Sequence, residues 1–307
     1  MRIGVVMEAF GDAPLEDVLA ALRESAPSVT GLELASGGYA QTPYCDRGTL
    51  LRDDGARERW RRAIEQRGFA VIALNAWGNP LHPDRDVAAG HDRDLCESIG
   101  LAAALGIDHV LALAGCPGDG RPSFAAGGWL PYLEGEHERQ WRESGEPYWR
   151  DLSEFARREH PGCTICVELH PGTLVYNAAT FEELAACGEN LAANVDPSHF
   201  FWMRMDPLAV VAELSRVGYA HLKDVVFDHR TLALNGLLDH RWPAAGSSWR
   251  FATLGRGRPR GWWRTFLDAL AARGVDRVAI EHEDPLVAPL EGVVEAAALV
   301  APEEVAA

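Results

Sequence analysis

Apolar and polar positions alternate between two regimes along this chain. Short apolar runs fall at residues 2–7 (RIGVVM), 29–35 (VTGLELA), 69–75 (FAVIALN), 109–115 (HVLALAG), 164–170 (TICVELH), 191–196 (LAANVD), 219–225 (YAHLKDV) and 277–283 (RVAIEHE). Between them lie longer stretches with apolar residues at helical spacing, among them LEDVLAALRES, ARERWRRAIEQRG, DLCESIGLAAALG and WWRTFLDALAARG. Several of these end in Gly, a common helix stop, just before the next apolar run. Strands alternating with helices predict βαβ units and a parallel sheet. Runs rich in Val, Ile, Leu and Ala suit a sheet covered on both faces. Eight such repeats predict an α/β fold, a closed (β/α)8 TIM barrel forming one domain over residues 1–307. Two connections are too long for simple turns, Cys116 to Glu136 after the fourth run and Phe227 to Gly261 after the seventh. Long connections in a compact domain are expected to act as lids or binding loops.

Composition narrows the class of partner. The chain has 307 residues, of which 47% are apolar, enough for a large core. A formal net charge of −16 argues against a nucleic-acid partner, which demands a basic surface. No apolar run approaches the roughly 20 residues needed to span a bilayer. The opening MRIGVVMEAF lacks the long apolar stretch of a signal peptide, so the expected location is cytoplasmic. The cysteines are scattered, and Cys163-x-x-Cys166 has no second pair at zinc-site spacing, so reduced, buried thiols are expected. The segment GCPGDGR at 115–121 lacks the Lys-Ser/Thr ending of a phosphate-cradling loop, which sets nucleotide binding aside.

Chemistry collects at the ends of the later strands. The fifth run ends with Glu168 and His170, and the sixth with Asp196 followed by His199. The seventh carries His221, Lys223 and Asp224, and the eighth ends with Glu281, His282 and Glu283. Barrel active sites form where the C-terminal strand ends converge. Glu168, Asp196, His221 and Glu281 can therefore meet around one ion. Taken singly, each is more readily a helix cap or a satisfied polar residue than a ligand, as Asp196 before PSH illustrates. Taken together, buried carboxylates without a cation would repel one another. Three carboxylates and one imidazole favour a hard or borderline divalent ion, Mn²⁺ first, with Mg²⁺, Co²⁺ or Zn²⁺ as alternatives. His199 is read as a substrate contact. His170, Lys223, Glu33, Asn75, His82 and Trp202 are further candidates for binding substrate. The arginines at 250, 256, 258, 260 and 264 are either an anion clamp or a solvated loop.

VELHPG, NVDPSHFFW, HLKD and AIEHED, with NPLHPD upstream, resemble the sugar phosphate isomerase/epimerase superfamily with a xylose-isomerase-like TIM barrel. The resemblance runs from about residue 70 to the C-terminus. It implies one divalent metal held by Glu168, Asp196, His221 and Glu281. The two glutamates would also serve as the catalytic acid/base pair, and His199 would hold substrate oxygens. The expected reaction is isomerisation or epimerisation of a keto-sugar or keto-glycoside through a metal-stabilised enediolate. Ketose epimerases of the group follow the strand-seven His with Glu and, further on, Arg. This chain has HLKDVVFDHR instead, so Lys223 or Arg230 would substitute. A lyase on the same scaffold is the alternative, either an inosose-type dehydratase or a 3-keto-glycoside-eliminating deglycosidase subunit. Expected partners are a small carbohydrate substrate and a second copy of the chain, or a small partner subunit if the chain is a deglycosidase.

Overall fold

A computed structural model of the protein describes residues 1–118, 135–243 and 246–301. Most of the Cys116–Glu136 connection, expected to be a lid, lies outside the described residues. Ten strands are described: β1 (Arg2–Val6), β2 (Val29–Gly38), β3 (Ala70–Trp77), β4 (His109–Leu113), β5 (Thr164–Glu168), β6 (Leu191–Val195), β7 (Val217–Leu222), β8 (Asp224–Phe227), β9 (Trp249–Ala252) and β10 (Arg277–Ile280). Eight of them close a parallel barrel in the order β1-β10-β7-β6-β5-β4-β3-β2, with helices between successive strands. The chain is thus a TIM barrel, and each of its eight barrel strands falls on one of the runs predicted from the apolar pattern. β8 and β9 stand apart as an antiparallel pair inserted between β7 and β10.

Side-chain alternation along the strands separates two cores. One set of residues packs between barrel and helices, including the fully buried Trp149, Phe181, Trp263 and Phe266. The Trp149 indole N–H donates to the Ala114 carbonyl at 3.1 Å, so this buried ring carries no unpaired donor. A second set, Val6, Ile72, Ala73, Leu111, Cys166, Ala192, Tyr219 and Ala279, plugs the barrel itself. Glycine makes room for the plug. A Cβ at Gly4 or Gly31 would stand 2.5 or 2.8 Å from Ile72 Cδ1, so those two positions let one isoleucine fill the space. Cys45, Cys96, Cys163, Cys166 and Cys187 are free thiols, and Cys163 and Cys166 are buried in or beside β5.

The apolar pattern runs the seventh strand through to residue 225, but the backbone breaks at Lys223. β7 ends at Leu222 and β8 begins at Asp224 in the separate pair. Asp224 shows why. Its Oδ2 accepts the backbone N–H groups of Gly255, Gly257 and Arg258 at 3.1, 2.9 and 2.9 Å. That carboxylate fastens the turn after β9 against the start of β8. A Cβ at Gly257 would come within 2.0 Å of the Val225 carbonyl, so only glycine permits the approach. The insertion is therefore tied down. It lays Phe251 of β9 over Lys223, with Nζ 4.5 Å from the ring centre, and edge-on to His199 at 5.8 Å.

Candidate active site

Strand register brings the predicted residues to one end of the barrel. Glu168, the last residue of β5, pairs with Asn194 of β6, and His221 of β7 pairs with Ala279 of β10. Glu281 follows directly after β10, and its backbone N–H donates to the Leu222 carbonyl. Asp196 follows β6 and opens the helix Pro197–Trp202. Its Oδ1 accepts the Ser198 N–H at 2.8 Å and so caps that helix. Its Oδ2 points instead into the site. The cap and the candidate ligand are the same residue, one oxygen for each task.

His221 is the hub. Nδ1 lies 3.4 Å from Glu168 Oε2 and 3.3 Å from Glu281 Oε2. Nε2 faces Glu33, at 3.1 and 3.0 Å from its two oxygens. Glu33 is fully buried and also accepts from Asn75 Nδ2 at 2.7 Å. The Glu33 carboxylate fixes the ring orientation and leaves Nδ1 for the acids, as a carboxylate behind a metal-binding imidazole does. Glu33, read from sequence as a substrate contact, thus meets His221, and Asn75, read the same way, meets Glu33. The Trp77 ring stands edge-on to His221 at 5.4 Å.

Lys223 stands on the other side of the cluster. Its Nζ is 3.0 Å from Asp196 Oδ2 and 2.9 Å from both Glu281 Oε2 and Glu283 Oε2. His199 Nε2 is 3.1 Å from Glu168 Oε1 and 3.3 Å from Asp196 Oδ2. His170 stacks edge-on against His199 at 4.3 Å. Glu283 is 47% exposed, whereas Glu168, Asp196, His221, Lys223 and Glu281 are nearly or fully buried and their charges are strongly biased. Burial pushes the Glu168 carboxyl up, but hydrogen bonds from His199 and His221 outweigh it and hold the group well below the ordinary range. Glu281 is raised well above its usual value by burial, which Lys223 and His221 only partly offset. Burial lowers the His221 and Lys223 values, yet the surrounding carboxylates win and raise both. His170 is held at about 4 by burial and by the neighbouring His199.

Three of the four predicted ligands gather closely enough for one divalent ion, and Glu281 adjoins that group at His221 Nδ1 without belonging to it. Ligand atoms of Glu168, Asp196 and His221 all lie within 4.8 Å of one another. Neighbouring ligands of one octahedral ion are about 3 Å apart, so the spacings around His221 Nδ1 are suitable. Asp196 Oδ2 and Glu281 Oε2 are buried and accept no well-angled hydrogen bond, although the Lys223 ammonium is near both. Two buried carboxylate oxygens that converge on one ammonium mark a point that already favours positive charge, as a cation site requires.

Other predicted residues fall further out. His82 Nδ1 accepts the Asp84 N–H at 3.0 Å, beside the start of the helix Arg85–Leu105. Trp202 stacks on Trp249 at 5.0 Å, and Trp249 in turn contacts Phe251, so Trp202 stands behind the site wall. The arginines of the insertion have partners of their own. Arg250 pairs with Asp284 at 2.7 Å, Arg256 with Glu295 at 3.1 Å, Arg258 lies over the Phe201 ring, and Arg260 donates to the Leu299 carbonyl. Asn194 was not singled out from sequence. It is fully buried, with Nδ2 at 3.4 Å from Glu168 Oε2 and 3.1 Å from His221 Nδ1. Its signal was the period of two, which puts it on the same strand face as Asp196. Glu8, just past β1, was also missed. Both its carboxyl oxygens are buried, and among the described residues neither meets another residue's hydrogen-bonding group.

Among the described residues, no helix is long and apolar enough to cross a membrane. The chain is 31% identical over 306 residues to the uncharacterized protein YfiH of Bacillus subtilis (strain 168), covering 95% of this chain and 96% of that one. Its fold is similar to the crystal structure of the probable 3-DHS dehydratase AsbF, involved in petrobactin synthesis, from Bacillus anthracis. That likeness has a TM-score of 0.67 and 15% identity, covering 99% of this chain and 100% of the other. It is also similar to the structure of an L-ribulose 3-epimerase, with a TM-score of 0.62 and 19% identity, covering 97% and 93% of the two chains. Residues 13–302 match the family described as Xylose isomerase-like TIM barrel, and the chain belongs to that family.

Proposed function

We propose that this protein is a divalent-metal-dependent isomerase or epimerase that moves a proton next to the ketone of a keto-sugar or keto-glycoside. One observation carries the reading. Glu168 and Glu281 approach His221 Nδ1 from opposite sides of β7, at 3.4 and 3.3 Å. Glu168, Asp196, His221 and Glu281 would hold the ion, with Mn²⁺ the first choice for so carboxylate-rich a set. When bound, the ion supplies Lewis-acid stabilisation of negative charge developing on a carbonyl oxygen. One glutamate, as carboxylate, takes the proton from the carbon beside the ketone. The other, as carboxylic acid, returns a proton to the opposite face. His199, His170 and Lys223 orient the substrate oxygens, and Phe251 keeps water from the reacting carbon.

Lys223 favours a second reading, elimination. An ammonium 2.9 Å from Glu281 and 3.0 Å from Asp196 sets a proton donor beside a base. Such a donor assists departure of an oxygen β to the carbonyl, which yields an unsaturated ketone. Turnover in deuterated water by the Mn²⁺-loaded protein, with a panel of keto-sugars and keto-glycosides, separates the two. Solvent deuterium in a re-formed sugar is expected for epimerisation, and an unsaturated product for elimination. Full turnover by the Glu281→Gln variant would refute both.

A further inference from the structure

The acids and histidines of the site come from the β5 to β10 side of the barrel. The β1 side carries a carboxyl that the proposed chemistry does not use. Glu8 follows β1 by two residues, in the short helix Met7–Phe10. Val6, at the end of β1, packs inside the barrel and pairs with Glu33 of β2. Glu8 therefore stands at the site end of the barrel beside Glu33, whose carboxylate holds His221. It is close enough to feel the charges of both Glu33 and His221. Neither Glu8 Oε1 nor Oε2 reaches solvent, and apart from Glu8's own backbone N–H neither meets a hydrogen-bonding group among the described residues. Helix capping does not explain it, since the cap residue of Met7–Phe10 is Val6 and no side chain caps that helix.

A buried carboxyl with no partner beyond its own backbone is costly and is usually kept for a ligand. Its charge state agrees with that use. Burial, reinforced by the Glu33 carboxylate, raises Glu8 from 4.5 to about 8, so near neutrality it is largely an uncharged acid able to donate. The Trp77 indole, edge-on to His221, adds a second buried and unpartnered donor in Nε1. The acid cluster already serves the reacting end of the substrate. Glu8 and Trp77 stand beside that cluster, just past β1 next to β10 and on β3, and neither is used by it, so they are left for another part of the same substrate.

We propose that Glu8 is a specificity-determining residue, its carboxyl hydrogen-bonding a hydroxyl oxygen of a polyhydroxylated ketone away from the reacting carbon. This rests on the functional reading above. A site built to bond a hydroxyl discriminates against the analogue lacking it, because the protein group is then left unpaired in a dry pocket.

The test is calorimetric titration of the Mn²⁺-loaded full-length protein with ketopentoses, ketohexoses and cyclic polyhydroxyketones, together with their deoxy analogues. Wild type, Glu8→Gln and Glu8→Ala are compared, and Mn²⁺ affinity is measured for each. The expected result is a loss on the order of 10-fold to 100-fold for the best ligand in Glu8→Ala. A smaller loss is expected in Glu8→Gln, whose amide still donates, with Mn²⁺ affinity unchanged in both. One deoxy analogue should bind wild type and Glu8→Ala equally, which identifies the oxygen that Glu8 holds. Equal ligand binding by wild type and Glu8→Ala overturns the inference and leaves the proposed function standing. So does a loss in Glu8→Ala that is the same for every deoxy analogue, since that marks a structural role. Mn²⁺ binding without any ligand bound by wild type refutes the functional reading, and the role of Glu8 falls with it.

Discussion

Lys223 is the internal counter-charge of the site, and its removal gives a sharp test of the electrostatics. Its side chain is 3% exposed, and two of its three carboxylate partners, Asp196 and Glu281, are 0% and 4% exposed. In the Lys223→Met variant the stem volume is nearly kept while the charge is lost. The two buried acids then face each other with His221 as the nearest remaining cation. Breaking a buried ion pair from one side costs about 3–5 kcal/mol. Unfolding entropy near the midpoint is about 2.1 cal/mol/K per residue, or roughly 0.64 kcal/mol/K for this length, so the melting temperature should fall by about 5–8 °C. A divalent ion bound to the same acids restores the missing charge. Melts followed by circular dichroism in chelator and in saturating Mn²⁺ check both halves. The variant should be the less stable protein in chelator, and Mn²⁺ should raise its midpoint more than it raises that of wild type. A variant as stable as wild type in chelator, or an equal metal-dependent rise in both proteins, would refute the reasoning.

Two further outcomes follow from the same geometry. Glu33→Gln takes from His221 the carboxylate that fixes its ring, so Mn²⁺ affinity measured by calorimetry should drop by about 10-fold to 100-fold; unchanged affinity would sink the positioning role. Glu8 makes metal-free stability depend on pH. Its folded value of about 8 lies above the ordinary 4.5, so the native state binds the extra proton. The stability this contributes is complete below about pH 4.5 and is lost as pH rises through about 8. Glu33 and His221 are the charged groups that face it. From pH 5 to 9 the loss is on the order of 4 kcal/mol, worked at 1.36 kcal/mol per pKa unit. Denaturant titrations across that range in chelator should show wild type weakening with pH and Glu8→Gln weakening far less; parallel curves would refute it.

The barrel was legible because its signal is repeated. Eight apolar runs separated by helical stretches leave few other topologies, and each run is short enough to be a strand. The break at Lys223 was not legible. Locally, YAHLKDV reads as one strand, and what divides it is the grip of Asp224 on backbone N–H groups more than 30 residues later. No window around residue 223 contains that information. Glu8 and Asn194 were hidden for different reasons. Asn194 sits inside an apolar strand, where a polar residue is visible but its partners are not. Glu8 lies beyond the first strand, away from the acid–histidine motifs of the last four, so nothing in its neighbourhood marks it as part of the same mouth.

Asp196 shows why local and site readings of one residue need not compete. From sequence, an acid before Pro-Ser-His explains itself as a helix cap, and that explanation is correct for Oδ1. A carboxylate has two oxygens, however, and capping consumes only one. The cap holds the side chain rigid, and that rigidity aims Oδ2 at His199 and Lys223. Proline at the first helical position strengthens the effect, since its fixed φ sets the backbone that carries the aspartate. The residues that make DPSH a good helix start therefore also hold the candidate ligand oxygen in place. Helix initiation at the end of a barrel strand gives an acid that is both pre-oriented and half-unsatisfied, and that is what a metal site requires of it.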